Sequence, residues 1–327
     1  MLTLHDSLQR QFTYLRLSVT DICNFKCVYC LPNGYTKSKQ EQDPLNLNEI
    51  KNLVYGFSRL GFAKVRITGG EPTIRKDILD IISTVASVPG ITQVALSTNG
   101  YKLDEMAGSL QKAGISKINI SVDSLNEERF EKITGKSNLK KIIAGIHLAL
   151  SLQYTAVKIN AVLLKDGNSQ DVDDFIAFTK NLPITVRFIE LMQTGSNLPL
   201  FCQSHVSADF IKTKLISAGW QMLPREISAG PAMEFSHSDY QGRIGIIAPY
   251  SKDFCSTCNR LRITSQGGLK LCLFGDQNYD LRSMLQREEQ LPELINRIQS
   301  LITYKTSSHS LHDGKYGNTS HFAIIGG

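Results

Sequence analysis

The chain has 327 residues, of which 42% are hydrophobic and 20% are charged. This composition excludes wholesale disorder and can build a full core, as one large domain or as one domain with an appendage. A formal net charge of +6 suits an anionic ligand but is too small to indicate nucleic-acid binding by itself. Because no run of about 18 apolar residues and no signal-peptide core is present, the sequence predicts a cytoplasmic protein that crosses no membrane.

Short β-rich segments alternate with helical patterns over the first two thirds of the chain. The predicted strands cover residues 14–20, 63–69, 92–98, 116–122, 156–163 and 184–191. The predicted helices lie near residues 47–60, 77–88, 102–113, 139–152, 170–181 and 207–218. Repeated strand–helix units predict parallel strands with right-handed crossovers. The fold class is therefore α/β, and a partial (β/α)6 TIM-like barrel is favoured over a doubly wound sheet.

The pattern changes near residue 220, which predicts a barrel over 1–220 and a C-terminal α+β extension over 221–327. Within the extension, the segment around Gly267 and Gly268 reads as a hairpin with Cys272 on its second strand. Helical patterns follow near 279–287 and 291–304, and the polar end of the chain resembles a flexible tail.

Four short motifs follow predicted strands: "DICNFKC", "GGEP", "TNG" and "SVDS". In parallel α/β folds, ligands bind at the carboxyl ends of the strands. The sequence therefore predicts that these motifs meet on one face of the barrel.

Cysteines form the most specific pattern in the chain. Of seven cysteines, Cys202 stands alone and is predicted to be a bystander. The others fall into a first triad, Cys23, Cys27 and Cys30, and a second triad, Cys255, Cys258 and Cys272. An odd count in a reducing compartment argues against a disulfide framework.

Three thiolates can hold three corners of a [4Fe–4S] cluster and leave one iron open to a small molecule. For the first triad the alternative is half of a zinc site, although zinc sites usually show paired Cys-x2-Cys knuckles. The second triad is more ambiguous. It suits either another cluster or a zinc site completed by a histidine such as His237 or His309.

The Cys-x3-Cys-x2-Cys spacing, Tyr29 and "GGEP" resemble the radical S-adenosylmethionine (SAM) superfamily. Longer stretches narrow the resemblance to its GTP 3′,8-cyclase family, which acts in molybdenum cofactor biosynthesis. These stretches are "YLRLSVTDICNFKCVYC", "KVRITGGEPTIRKDI", "INISVDSL", "FIELMQTG", "FCSTCNRLRIT", "GGLKLCLF" and the terminal Gly-Gly. The resemblance runs from Tyr14 to Gly327, with Phe322 where the family often has Met.

The resemblance implies a lyase with two [4Fe–4S] clusters, one on each cysteine triad. SAM would bind the open iron of the first cluster and yield methionine and a 5′-deoxyadenosyl radical. Its implied protein contacts are Tyr29, Gly70, Ser121 and Met192. The radical would take the ribose 3′ hydrogen of GTP, and the C3′ radical would attack guanine C8.

Cations in the predicted strands agree with a triphosphate substrate. Arg16, Arg66 and Lys158 can face the barrel interior, where a charge is costly without a counter-ion. For any one of them, a solvated or locally paired cation is the alternative. The resemblance implies GTP contacts from Arg16, Arg66, Ser97, Lys158, Arg260, Leu261 and Arg262.

The catalytic set implied by the resemblance is Cys23, Cys27, Cys30, Arg260, Arg262, Gly326 and Gly327. Two glycines can enter a crowded pocket, and the apolar Ala323, Ile324 and Ile325 could hold them there. We therefore expect the end of the chain to fold into the mouth of the barrel.

The implied partners are a flavodoxin-like or ferredoxin-like electron donor and, downstream, cyclic pyranopterin monophosphate synthase. Neither a nucleic acid nor a membrane is expected, and a homodimer is left open. One alternative function is a radical SAM enzyme with an auxiliary cluster that acts on a peptide. Another is a non-catalytic electron carrier or zinc protein, against which "GGEP" and the cations in the strands argue.

Overall fold

The computed structural model describes residues 3–37, 42–225 and 229–326. Its strands are β1 (Leu4–His5), β2 (Gln11–Phe12), β3 (Tyr14–Ser18), β4 (Lys64–Thr68), β5 (Gln93–Thr98), β6 (Ile115–Ser121), β7 (Ala156–Leu163), β8 (Thr185–Glu190), β9 (Gln221–Met222), β10 (Met233–Ser236), β11 (Arg243–Ile247), β12 (Arg260–Ile263), β13 (Gly268–Lys270) and β14 (Tyr279–Asp280).

The α-helices are α1 (Leu47–Arg59), α2 (Ile78–Ser87), α3 (Leu103–Ala113), α4 (Glu127–Thr134), α5 (Leu139–Ser151), α6 (Val172–Phe178), α7 (Leu198–Ser204), α8 (Asp209–Ser217) and α9 (Leu291–Ile302). Helix α1 shows how local sequence fixes a boundary. The Asn46 side chain accepts a 3.0 Å hydrogen bond from the Glu49 N–H, and the Glu49 carboxylate accepts one of 2.8 Å from the Asn46 N–H. This capping box satisfies two N–H groups that the helix leaves unpaired.

One sheet organises the molecule. Its strand order is β14-β13-β12-β3-β4-β5-β6-β7-β8-β11-β10-β9. The strands from β12 through β3–β8 to β11 pair in parallel, whereas the outer strands on both sides pair antiparallel. The order ends at β14 and β9 and forms no closed ring among the described residues. The predicted α/β partial barrel is therefore confirmed.

Successive side chains of a strand point to opposite faces of the sheet, so that one set packs in the core and the other set lines the site. On β3, Leu15 and Leu17 are fully buried in the apolar core, while the alternating residues Tyr14 and Arg16 point to the opposite face. The core lies between the sheet and its helices. The polar side chains of the strands line the inner face of the partial barrel.

The C-terminal region contributes a parallel strand to each edge of the six predicted barrel strands. Strand β12 pairs with β3, and β11 pairs with β8. The residues that follow the barrel in sequence therefore complete its inner face from both sides.

Some sequence expectations were wrong. Residues 279–287 form no α-helix: they contain the short β14 and a 3₁₀ turn at Arg282–Met284. Cys272 lies two residues beyond β13 rather than on it. The expectation of a flexible tail fails as well, because Leu311, Thr319, Ala323 and Ile325 are buried. Within the described parts of the chain, no helix has the length and apolar character that a membrane crossing requires.

Candidate active site

The first triad lies in the loop that follows β3. Backbone hydrogen bonds shape this loop: the Cys30 N–H donates to the Cys27 carbonyl at 2.9 Å, and the Lys26 N–H donates to Thr134 at 2.9 Å. The three cysteines are unpaired and partly buried. The loop is thus fastened to the end of α4 with its thiols turned toward the protein.

Burial makes this pocket unfavourable for bare thiolates. It raises the pKa of Cys23 to about 11 and that of Cys30 to about 12, and it raises the pKa of Cys27 well above its usual value. The Asp123 carboxylate and the repulsion from Cys30 and Cys23 add to the rise of the pKa at Cys27. Hydrogen bonds from backbone N–H groups act in the opposite direction at Cys23 and Cys30. Three soft donors with N–H groups aimed at sulfur fit an iron–sulfur cluster, whose iron would supply the missing positive charge.

The "GGEP" segment packs against the start of the same loop. A Cβ on Gly69 would lie 2.4 Å from the Thr20 carbonyl oxygen, and a Cβ on Gly70 would lie 2.3 Å from that of Ile22. Neither position has room for a side chain. The Gly70 N–H donates to the Thr20 carbonyl at 2.8 Å, so the two loops are held together at the carboxyl ends of β3 and β4.

Glu71 is the buried anchor of this segment. Its carboxylate accepts hydrogen bonds from the N–H and hydroxyl of Thr73, the hydroxyl of Thr98 and the N–H of Asn99. Burial raises the pKa of Glu71, although these donors oppose the rise. Glu71 thus joins the ends of β4 and β5.

The predicted SAM contacts are linked by two side chains that the sequence analysis missed. The Tyr29 hydroxyl donates to Asp123 at 2.7 Å, in the segment just beyond Ser121. The Asn197 side-chain amide donates to the carbonyls of Tyr29 at 3.3 Å and Met192 at 3.0 Å. Tyr29 and Met192 are therefore held side by side, whereas Gly70 stands on the neighbouring loop.

The second triad lies beside a group of cations. Burial would raise the pKa of Cys258, but Arg260 and Lys305 outweigh it and lower that pKa to about 7. At Cys255, burial raises the pKa, and Cys272 and Cys258 add to the rise. These sulfurs therefore share one site. Thiolates stabilised by neighbouring cations fit a negatively charged cluster.

Among the residues that the structure describes, no three His, Cys, Asp or Glu side chains are arranged to hold one ion. The fit of each triad to a cluster therefore rests on its donor chemistry and surroundings.

A row of arginines crosses the inner face of the sheet. Arg262 on β12 is in register with Arg16 on β3, and Arg16 is in register with Arg66 on β4. Burial, followed by the charge of Arg262, lowers the pKa of Arg16 well below its usual value. Burial and Arg260 lower the pKa of Arg262 to about 10. Stacking cations in this way is costly, so the row favours an anion of high charge.

Tyr14 and Ser97 complete one end of this row. Arg66 donates to the Tyr14 hydroxyl oxygen and also to Ser97 at 3.4 Å. Burial would raise the pKa of Tyr14, but Arg66 and Arg16 outweigh it and lower that pKa to about 8. Of the predicted substrate residues, Arg16, Arg66, Ser97 and Arg262 therefore lie together.

Lys158 lies farther along the inner face, in a second group of charges. Its ammonium is 2.8 Å from the Glu234 carboxylate, and the Arg187 guanidinium is 3.5 Å from the same oxygen. Burial and the charge of Arg187 lower the pKa of Lys158 to about 8. The predicted cation thus already has a counter-ion, which comes from the antiparallel strand β10.

The end of the chain reaches this face, as expected. Arg262 donates to the Gly326 carbonyl at 3.2 Å, and Gly326 adopts φ +60° directly against Thr68 at the end of β4. The prediction that the tail enters the barrel mouth agrees with this position of Gly326. Gly327 lies outside the described residues.

Two further residues named from the sequence differ in their exposure: Leu261 is buried and Cys202 is exposed. Leu261 is fully buried in the core between Arg260 and Arg262, so any contact that it makes with a substrate would come from its backbone. Cys202 is exposed on α7.

Comparison with known proteins gives the family. The model of the radical SAM superfamily matches residues 17–179, and the model described as Molybdenum Cofactor Synthesis C matches residues 184–311. A relative from Vibrio vulnificus named GTP 3′,8-cyclase is 50% identical over 323 residues, which cover 98% of this chain and 97% of the relative. Another of the same name, from Synechococcus elongatus, is 47% identical over 100% of both chains. The chain belongs to the GTP 3′,8-cyclase family.

Solved structures support the fold of this family member. SuiB of Streptococcus suis, bound to S-adenosylmethionine, superposes with a TM-score of 0.58 at 12% identity, over 88% of this chain and 68% of SuiB. HydG, a maturase of the [FeFe]-hydrogenase, superposes with a TM-score of 0.51 at 16% identity, over 62% of this chain and 48% of HydG. At such identities the likeness concerns the fold alone. Membership of the radical SAM superfamily implies SAM and a [4Fe–4S] cluster for this chain.

Besides Asp123, three polar residues of the site escaped the sequence analysis: Arg187, Asn197 and Glu234. Arg187 on β8 carries the same signal as Arg16, a cation in a predicted strand, and could have been found by it. Asn197 and Glu234 carry no such signal, since the first lies in a loop and the second on a short strand beyond the barrel pattern.

Proposed function

We propose that the chain is a radical SAM cyclase that joins ribose C3′ to guanine C8 of GTP and yields 3′,8-cyclo-7,8-dihydroguanosine triphosphate for molybdenum cofactor biosynthesis. One arrangement carries the proposal. Arg262 belongs to the arginine row, lies close to Cys258 and Cys272, and binds the tail residue Gly326. A polyanion on this row would therefore lie beside the second triad and against the end of the chain.

The first triad is proposed to hold the cluster that binds SAM. When bound there, a [4Fe–4S] cluster supplies the electron that splits SAM into methionine and a 5′-deoxyadenosyl radical. The residues of this chain bind and orient the cofactor. Asn197 fixes the backbone of Tyr29 and Met192, Gly70 lets the "GGEP" segment pack directly against the loop of the first triad, and Ser121 offers a hydroxyl at the end of β6.

The second triad is proposed to hold another [4Fe–4S] cluster, and its three cysteines would leave one iron of that cluster open to the guanine of the substrate. Support comes from the low pKa of Cys258 and from Arg260 beside it. Arg16, Arg66 and Arg262 would bind the triphosphate, and fixed guanidinium groups would hold it without reorganising. Lys158 and Ser97 extend this binding surface. The tail would help to exclude water from the reacting ribose.

The same proposal includes partners. Reductive cleavage of SAM needs one electron, and conversion of the cyclised nucleotide radical to the dihydro product needs a second electron and a proton. We propose that a one-electron donor of low potential, of the flavodoxin or ferredoxin kind, supplies these electrons. The cyclised nucleotide would then be consumed by cyclic pyranopterin monophosphate synthase. Self-association into a homodimer is left open.

Anaerobic turnover tests the function. Reconstituted protein should hold about eight irons in two clusters and, with GTP, SAM and strong reductant, should release 5′-deoxyadenosine together with a nucleotide isomeric with GTP. Mass analysis and acid conversion to a fluorescent pterin would identify that product. If 5′-deoxyadenosine forms while GTP is recovered unchanged, the substrate is another molecule, such as a peptide. Zinc in place of iron would contradict the proposal entirely.

A further inference from the structure

The C-terminal segment 318–326 contacts a sulfur of the first triad. The backbone N–H groups of Phe322 and Ala323 lie close enough to the Cys30 thiol to lower its pKa against the effect of burial, and Cys30 lines the same cleft as the neighbouring residues His321 and Ile324. Both residues belong to the 3₁₀ turn Phe322–Ile324, in which the Ile325 N–H donates to the Phe322 carbonyl. The first N–H groups of such a turn have no partner inside it and are free to point at an anion. The Cys30 sulfur takes that place.

Several hydrogen bonds fix the segment where it makes this contact. The Gly195 N–H donates to the Thr319 carbonyl at 3.1 Å, and the Ser196 hydroxyl donates to the Ser320 carbonyl at 2.6 Å. On the other side, the Lys270 ammonium is 2.8 Å from the Asn318 side-chain oxygen. The segment is therefore tied to the loop after β8 and to the β12–β13 hairpin, beside both proposed ligand sites.

The segment and Cys30 also line the same cleft. This cleft of about 510 Å³ is lined by Cys30, His321 and Ile324 together with residues of the loop at 31–36. Displacing the segment would open this cleft further toward the first triad. Any movement of the C-terminal segment would therefore change the environment of Cys30, which is one of the proposed cluster ligands.

Hydrogen bonds to the cysteine sulfurs are among the factors that set the potential of an iron–sulfur cluster. An N–H donor stabilises the more electron-rich, reduced state and so raises the potential. We propose that the docked C-terminal segment tunes the first cluster through the Phe322 and Ala323 N–H groups, so that the cluster is most easily reduced when the tail is in place. This inference rests on the proposed cluster at the first triad. It adds a redox function to a segment otherwise regarded as part of the substrate pocket.

Proline at position 322 tests the inference because it removes one N–H donor. The position tolerates it: Phe322 is the first residue of the turn, and His321 is extended with φ −154° and ψ 159°, as a residue before proline should be. Phe322→Ala is the matched control, since it removes the same side chain and keeps the N–H. Phenyllactic acid at position 322, introduced by nonsense suppression, provides the reverse change by keeping the side chain and replacing N–H with oxygen.

The readout is the midpoint potential of the first cluster, followed through the electron paramagnetic resonance signal that changes when SAM is added. We expect a more negative potential for Phe322→Pro and for the phenyllactic acid protein. Phe322→Ala should stay at the wild-type potential, and the second cluster should not shift in any variant. An unchanged or raised potential in the two proteins without the N–H, or an equal shift in Phe322→Ala, would overturn the inference. Wild-type protein that binds no iron would instead refute the proposed function.

Discussion

Arg262 on β12 donates a 3.2 Å hydrogen bond to the carbonyl oxygen of Gly326, near the end of the chain. Gly326 has φ +60°, and a Cβ at this position would lie 2.1 Å from Thr68. The arginine row, the end of β4 and the tail are thus joined at one point, where only glycine fits. A single methyl group added at position 326 tests this junction.

Gly326→Ala should displace the end of the tail and uncouple the reaction. Iron content and SAM binding should be retained, while nucleotide product per SAM cleaved should fall at least tenfold, because positioning of the ribose is lost. Gly314→Ala is a matched control: Gly314 has φ +68°, but a Cβ there would meet nothing within 4 Å. It carries the same backbone strain without the clash. Full coupling in Gly326→Ala would contradict a positioning role for the tail.

Arg262→Ala should weaken GTP binding far more than SAM binding. Removing one partner of a buried, charge-assisted hydrogen bond costs roughly 2–5 kcal/mol. Arg262→Lys should recover part of this affinity, because it restores the charge but not the planar fork. Equilibrium binding of each ligand to each variant is the measurement. An unaltered GTP affinity in the alanine variant would return Arg262 to a purely structural role.

Glu234→Gln should strengthen GTP binding. In the free protein Glu234 neutralises Lys158 and Arg187, and a triphosphate at these cations would have to compete with it. Because the pair is partly exposed, we expect a gain of about fivefold, or roughly 1 kcal/mol. Glu288→Gln is the control, since Glu288 is paired with Lys51 on the surface at 2.9 Å. Weaker binding by Glu234→Gln would mean that Glu234 supports the substrate site rather than competing for it.

GTP affinity should fall as the pH rises through about 8, the pKa of Lys158 in the free protein. Binding of a triphosphate favours the charged ammonium, so above this pH binding must take up a proton, and the dissociation constant should increase up to tenfold per pH unit. The charged groups that face Lys158 are Arg187, Arg66 and Glu234.

Lys158→Arg provides the comparison for this pH dependence because arginine stays charged throughout the range. A smaller dependence should remain in that variant, because Tyr14 also has a pKa of about 8 and its ionised form would repel phosphate. Identical pH profiles for the wild-type protein and Lys158→Arg would exclude Lys158 as the titrating group.

The two triads should be separable by mutation. Cys27→Ala should lose SAM cleavage and about half of the iron, whereas Cys272→Ala should lose a similar share of iron but keep uncoupled SAM cleavage. Cys202→Ala is the matched control, since Cys202 is exposed and stands apart from both triads. Iron analysis and 5′-deoxyadenosine release distinguish the three variants. Release of 5′-deoxyadenosine by Cys27→Ala would show that SAM does not bind at the first triad.

The sequence predicted the six barrel strands closely because their signal is local. Each is a short run of β-branched and apolar residues that ends at a glycine or polar turn. The cysteine spacings and "GGEP" were equally readable, since both lie within a few residues. In these segments, periodicity and turn chemistry point to the same structure.

The errors lie where distant contacts decide the structure. Residues 279–287 read as helical, but Tyr279 and Asp280 pair with β13 instead. The polar tail read as flexible, yet its carbonyls and N–H groups find partners at residues 195, 196 and 30. Glu234 reaches Lys158 only because β10 lies next to β11, an arrangement that no local pattern encodes.

The order of strands in the sheet also governs how this protein must be made. While it emerges from the ribosome, the unit β3–β8 has two bare edges, because the strands that cover them, β11 and β12, come later. Bare edges of this kind can pair with other chains and aggregate. The exposure ends only when residue 263 has left the ribosome, after Cys255 and Cys258 and shortly before Cys272. The edges of the nascent sheet are therefore covered at nearly the same stage of translation at which the cysteines of the second triad emerge.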